Sequence, residues 1–243
     1  MTATQEREVL FSGPMVRAIL DGTKTQTRRV MKPQPDDATD LGLWAWSPRK
    51  GVSGYNQRTA YLGCPYGVPG DRLWVRETWA DVNTESGPAL MYRADSEVRN
   101  WRDFSTKFGP DYGAGPSMDY DSYAGDYTMW WSDLHAGAPG HRWRPSIHMP
   151  RWASRLTLEV AGVRVERVQN ISEADARAEG CECASALAWD SAVGASDPYA
   201  AAVANGHRAA FRKLWDSLNG RKEGSSWKDN PWVWVVEFRK VEA

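Results

Sequence analysis

The spacing of apolar positions changes several times along the chain, and each change marks an element. Between Ser12 and Gly22, residues Met15, Val16, Ile19 and Leu20 recur at helical spacing. Ser12 suits the N-cap, Pro14 the first turn, and Gly22 the left-handed residue that ends a helix. After the Pro69-Gly70 turn the period drops to two, with Leu73 and Val75 alternating with Arg72, Trp74 and Arg76 as in a strand. A second short strand is predicted over Ala89–Arg93. Leu156, Leu158 and Val160 alternate again, and Val163 and Val165 continue after Gly162. This predicts one twisted strand, or two strands joined at a bulge. Ser172 suits the cap of a short helix, with Ile171 as the staple outside it, Asp175 as a weak reciprocal cap and Glu179-Gly180 near its end. The clearest helix is Ala200–Leu218, where Phe211, Leu214, Trp215 and Leu218 fall at i, i+3, i+4 and i+7 before Gly220. Trp232–Val236 is uniformly apolar and predicts a buried strand.

Two stretches keep no period. Met31–Gly63 is broken by Pro33, Pro35, Pro48 and several glycines. Ala94–Arg144 is rich in Gly, Asp, Tyr and Trp and reads as a long loop or insertion, with a short helix near Trp130–Leu134. No linker or internal repeat divides the chain. A single domain over 1–243 is expected, with core segments at about 8–32, 66–94 and 150–241 and an insertion at about 95–145.

Composition adds exclusions. The 243 residues carry 30 Lys and Arg against 31 Asp and Glu, a net charge of -1, which argues against a protein that coats nucleic acid non-specifically but leaves room for a local basic cleft. Three cysteines, Cys64, Cys181 and Cys183, are too few for a disulfide framework. Cys181 and Cys183 lack the second close pair of a zinc site, so buried or incidental thiols are expected rather than a metal, and no cofactor is implied. The N-terminal segment lacks the apolar core of a signal peptide and no apolar run is long enough for a membrane span, so a cytoplasmic protein without membrane contact is expected. Fourteen tryptophans stand out, and such rings suit cores, ligand pockets and base-stacking surfaces alike.

Candidate chemistry concentrates in Thr23–Arg29, where Thr23, Lys24, Thr25, Thr27, Arg28 and Arg29 crowd the exit of the first helix. Lys24 can hold an anion, or act as a base if burial lowers its pKa. The Thr27 hydroxyl becomes a nucleophile only beside such a base. Arg28 or Arg29 can fork onto a phosphate or carbonyl. Equally, the segment is a capped helix end whose cations complement the helix dipole. On an extended backbone Lys24 and Thr27 do not share a face, so spacing leaves their geometry open. Glu77 and Glu179 are carboxylates able to pair with Lys24 or an arginine. His148 stands beside Arg144, Arg151 and Arg155 in a group suited either to phosphate or to clamping a loop.

Four segments carry a family resemblance: LFSGPMVRAILDGTKTQTRR at Leu10–Arg29, PGDRLWVRETW at Pro69–Trp79, RLTLEVAGVRVERVQNISEADARAEG at Arg155–Gly180 and NPWVWVVEFRKV at Asn230–Val241. With the motif Gly22-x-Lys24-Thr25-x-Thr27-x-Arg29 followed by Gly70-Asp71, the chain resembles the ASCH domain family of the PUA-like superfamily, and in particular longer ASCH-like proteins of bacteriophages and prophages. The resemblance implies an α+β, mainly β fold: a small β-barrel of five or six strands with helices at its rim, here interrupted by the long insertion. It implies binding of RNA, modified bases or nucleotides, and for some small members hydrolysis of the acyl group of N4-acetylcytidine by a Lys, a Thr and a Glu. Lys24, Thr27 and Glu179 match those three positions. Thr27 would attack the amide carbonyl, and Lys24 would take its proton if neutral or donate to the oxyanion if protonated. Glu179 would orient Lys24 or the cytosine edge and assist leaving-group protonation, and Arg29 would hold the oxyanion or the substrate carbonyl. Thr25, Arg28, Arg29, Glu77, Trp79, His148 and Arg151 are the candidate substrate-binding residues. The expected partner is a modified nucleoside or a single-stranded nucleic acid, with a protein partner at the aromatic insertion as the alternative.

Overall fold

A computed structural model describes residues 4–32, 34–35, 37–38, 44–45, 63–84, 87–100, 129–130, 134, 143–181 and 206–241. Most of the aromatic insertion, Cys183 and residues 200–205 of the predicted last helix lie outside the described residues. The elements run β1 (Glu6–Leu10), α1 (Gly13–Leu20), β2 (Gln26–Val30), β3 (Asp37–Ala38), β4 (Trp44–Ala45), β5 (Arg72–Arg76), β6 (Trp79–Thr84), β7 (Gly87–Tyr92), β8 (Val98–Asn100), β9 (Met129–Trp130), β10 (Thr157–Arg167), α2 (Glu173–Ala178), α3 (His207–Asn219) and β11 (Trp232–Lys240).

Among the described residues, strands pair in three open sheets: five strands in the order β1-β5-β10-β11-β2, four in the order β8-β7-β6-β9, and the β3-β4 pair. The expected barrel is therefore not formed. Closure requires the two edge strands to pair, with a tilt and stagger that bring them together. In the larger sheet β1 and β2 are the two edges, and among the described residues β2 pairs with β11 alone, from Val30↔Val233 to Gln26↔Glu237. Counting strands from alternation cannot supply closure, because register and stagger decide it.

By compactness the chain divides into two units, Met1–Arg7 with Ala18–Arg72 and Leu158–Lys240, and Glu8–Arg17 with Leu73–Thr157 and Val241–Ala243. In the first unit β10 pairs antiparallel with β11 and slips register between Val160 and Gly162, the bulge that the interrupted alternation predicts. Val233 and Val235 of β11 pack with Val168, Ile171, Ala176, Phe211, Trp215 and Trp227. Phe211 and Trp215 thus form the buried stripe of α3, whereas Leu218, the next apolar position, is 50% exposed. The Trp215 indole N–H donates to Ser225 O at 2.9 Å, so burying the ring leaves no orphan donor. Ser172 caps α2 by accepting from Asp175 N at 3.0 Å.

In the second unit β6 and β7 form a six-pair antiparallel ladder from Trp79↔Tyr92 to Thr84↔Gly87. Ala80 and Val82 of β6 pack with Ala89, Met91 and Leu134; Trp79 packs with Leu90, Tyr92, Met149 and Ala153. The sequence reading missed β6, although Ala80 and Val82 alternate with Asp81 and Asn83. Of the short helix expected near Trp130–Leu134, Leu134 is helical, whereas Met129–Trp130 forms β9, which pairs parallel to β6, and residues 131–133 lie outside the described residues.

Gly180 closes α2 in the left-handed region at φ 77°, and a Cβ there would lie 2.9 Å from Ala18 Cβ and 3.0 Å from Lys24 Cβ. Gly224 has a similar φ of 67° but open space around it. Gly180→Ala is expected to cost more than Gly224→Ala, which carries only the left-handed penalty of about 1–2 kcal/mol. Urea unfolding of both variants checks this, and equal losses would show that the close approach at Gly180 is relaxed without cost.

Candidate functional site

The polar segment after α1 is pulled inward by its backbone before its side chains act. Lys24 N donates to Ala18 O at 2.9 Å, Thr25 N to Ala178 O at 2.8 Å, and Phe238 N to Thr25 O at 2.8 Å. These bonds lay the segment between the end of α2 and strand β11. They leave Lys24 only 2% exposed. Its ammonium donates to Glu179 Oε2, Glu179 O and Gln26 O, each at 2.8 Å, and an ammonium has three N–H donors.

Around this pair lies a larger network. Arg28 Nη1 reaches Glu179 Oε1 at 3.2 Å, its Nε donates to Glu166 Oε1 at 3.0 Å, and its Nη2 meets Glu166 and, at 3.2 Å, Asp175. Gln26 Nε2 donates to Asp175 O at 2.7 Å, and Arg164 pairs with Asp175, Glu166 and Glu237. Burial by itself would raise the Asp175 carboxyl pKa. The Gln26 hydrogen bond and the Arg28 and Arg164 charges outweigh it and hold the group below its usual range. The whole arrangement fastens α2, which at six residues is too short to persist unaided, onto the sheet.

Strand alternation separates the three residues expected to act together. In the β2–β11 ladder Arg28 faces Val235 and Thr27 faces Val236. Val235 belongs to the core beneath α3, so Arg28 lies on the helix-covered face. Successive side chains point to opposite faces, so Thr27, with Arg29, points away from that face. The structure brings Lys24 and Glu179 together and places Thr27 across the sheet from Arg28 and Gln26. Thr25 contributes backbone groups and is otherwise exposed. Arg29 is half-buried, with its guanidinium 6.0 Å from the centre of the Tyr66 ring. Arg28 is fully buried and held by three carboxylates rather than open to a phosphate. Asp71 of the Gly70-Asp71 motif accepts from Gln5 N and Val68 N, each at 3.0 Å, and so ties the turn before β5.

Glu77, Trp79, His148 and Arg151 belong to the second unit. Glu77 pairs with Arg155 through a two-pronged fork, at 2.8 Å from Nε to Oε1 and 2.9 Å from Nη2 to Oε2. Arg155 Nη1 also holds Asp95 at 2.8 Å and Glu97, and its guanidinium lies 4.2 Å from the centre of the Tyr92 ring. Burial pushes the Glu77 carboxyl pKa up, against the Arg155 hydrogen bonds and charge, which lower it. Arg155 thus leaves the phosphate group expected around His148 and serves as a clamp on the turn between β7 and β8. Trp79 is buried, with the Arg144 guanidinium 5.1 Å from its ring centre. His148 is exposed and Arg151 is half-buried.

Among the described residues, no group of three or more His, Cys, Asp or Glu is placed to hold a metal ion. Burial, reinforced by Glu179, pushes the Cys181 thiol up to about 11, and burial does the same for Cys64. Neither is the thiolate that a metal or a nucleophilic step requires. No family model, curated protein or solved structure matches the chain.

Sequence reasoning missed Gln26, Arg164 and Glu166 in one network and Asp95 and Glu97 in the other; it placed Asp175 only as a weak cap, and of its two readings of Arg155, phosphate or loop clamp, the clamp is the one observed. A usable signal was Arg164-x-Glu166 on β10, a polar alternation set between Val163 and Val165; on β2 the neighbours of Gln26 and Arg28 are Thr27 and Arg29, and no such contrast marks the pair.

Lys24→Met and Glu179→Gln should each cost about 3–5 kcal/mol in urea unfolding, because each strands a buried charge. The double variant should cost less than the sum of the two, and strict additivity would contradict the pairing. Arg155→Met should likewise cost about 3–5 kcal/mol at neutral pH. Without its partner, Glu77 retains the burial that raises its pKa. The deficit should therefore shrink as pH falls and Glu77 takes a proton; a deficit that grows on acidification would contradict this assignment.

Proposed function

We propose that this chain is an ASCH-like protein that binds a modified nucleobase or nucleic acid, and that Lys24 and Glu179 serve its architecture rather than a hydrolytic step. The observation that carries the non-hydrolytic part is Lys24: each ammonium donor meets a protein oxygen, and Thr27 points to the other face of the strand. A base that must take a proton from Thr27 needs hydrogen-bond reach to it. Support for binding comes from the family-like motifs and from arginines laid against aromatic rings: Arg167 on Trp232 at 4.3 Å, Arg144 on Trp79, and Arg76 and Arg151 on Trp74.

A second reading is hydrolysis of an N4-acylated cytosine, favoured by the 2.8 Å contact between Lys24 and Glu179, two of the three family-like catalytic positions. One experiment separates the two. The protein is incubated with N4-acetylcytidine, followed by mass, and titrated in parallel against labelled single-stranded RNA and DNA at two salt concentrations. Salt-sensitive oligonucleotide binding without loss of the acetyl group is expected. Turnover by the wild-type protein that both Lys24→Ala and Thr27→Ala abolish, with folding unchanged in urea unfolding, would establish the hydrolase reading, and absence of binding at both salt concentrations would overturn the first.

A further inference from the structure

We infer that the solvent side of β5 around Trp74, with the segment Pro145–Arg151, is a docking surface for single-stranded nucleic acid. This rests on the binding reading above and names where and to what it applies. Leu73 and Val75 of β5 are buried, so Trp74 and Arg76 share the opposite face, and both are partly accessible. The Arg76 and Arg151 guanidiniums lie 5.5 Å and 5.9 Å from the centre of the Trp74 ring. Arg76 Nε also donates to Ser146 O at 3.1 Å, which brings the short 3-10 turn Ser146–His148 to the same place. That turn buries none of its residues, and Ile147 is 58% exposed beside an exposed His148.

An indole ring with two guanidiniums offers a base a stacking face and its phosphates two positive charges, without reading sequence; Arg151 also donates through Nη2 to Thr157 Oγ1 at 3.4 Å. Other arginine–tryptophan pairs of this unit fit less well. Trp79 is buried and offers no open ring face; Trp143, among the described residues, lies against Arg93 at 5.9 Å. A single strand is favoured over a duplex because stacking on Trp74 needs an unpaired base face. An acidic group intrudes: Glu8, 53% exposed, pairs with Arg76 and competes with phosphate for it.

The test is fluorescence anisotropy of full-length protein with a labelled oligouridylate and oligothymidylate, and with a duplex of equal length. Trp74→Ala should weaken single-strand binding about tenfold. Arg151→Ala should weaken it and reduce the salt slope by about 0.7. Glu8→Gln should tighten binding, an effect that a merely structural role for these residues does not produce. Arg239→Ala, which removes an exposed arginine of the first unit, should change affinity less than about twofold. Urea unfolding confirms that each variant is folded. If wild-type protein binds no strand, the binding reading falls and this surface with it. If it binds and Trp74→Ala and Arg151→Ala behave like Arg239→Ala, the surface is wrong and the binding reading stands. Tighter binding of the duplex would overturn the choice of a single strand.

Discussion

A buried ammonium sets the terms for the first unit. Once Lys24 is drawn under the end of α2 by the backbone bonds of Lys24 and Thr25, its charge must be met by acceptors in place. Glu179 supplies two of them, one side-chain and one backbone oxygen, and Gln26 supplies the third. Glu179 is then fixed, and Arg28 on its other oxygen is fixed with it. Glu166, Asp175 and Arg164 extend the chain of pairs outward to partly exposed positions. Ion pairs of this kind do not out-stabilise a well-packed apolar core, but they penalise every arrangement in which one member moves. Short helix α2 is held in one place by that penalty.

The second unit repeats the logic with a guanidinium. Arg155 forks onto Glu77, lies against Tyr92 and reaches Asp95 and Glu97 in the turn after β7. In both units a cation on one segment organises carboxylates brought from distant parts of the sequence. Arginine also accounts for part of the tryptophan content. Trp74, Trp79, Trp143, Trp227 and Trp232 each have a guanidinium within 6 Å of the ring centre. Packing against a cation satisfies a large ring without requiring it to be wholly in the core.

Features set by neighbours in sequence were legible before the structure. The α1 apolar stripe, the left-handed Gly22, the Ser172 cap and the break in alternation beside Gly162 all follow from local chemistry. Pairing of Glu77 with an arginine was open to the sequence; which arginine was not, because Arg155 lies 78 residues away. Closure of the sheet was illegible for a related reason, since it depends on how β1 and β2, at opposite edges, are staggered. The side of the sheet that Thr27 faces depends on register with β11, and a spacing of three residues from Lys24 carries no such information. Arg164 and Glu166 look like a solvent face in an alternating strand. Arg164 meets Asp175 because α2 folds back over the strand, and Glu166 meets Arg28 across β11, which β10 and β2 flank.

The most direct measurement is native-state hydrogen exchange of the Thr25 amide, which donates to Ala178 O beside the Lys24–Glu179 pair. If that pair is a fixed part of the architecture, Thr25 exchanges only when the unit unfolds, with the same opening free energy and denaturant dependence as Val235 in the buried strand β11. Exchange of Thr25 through a low-energy local opening, while Val235 stays protected, would contradict the account and describe a cleft that opens to admit a ligand.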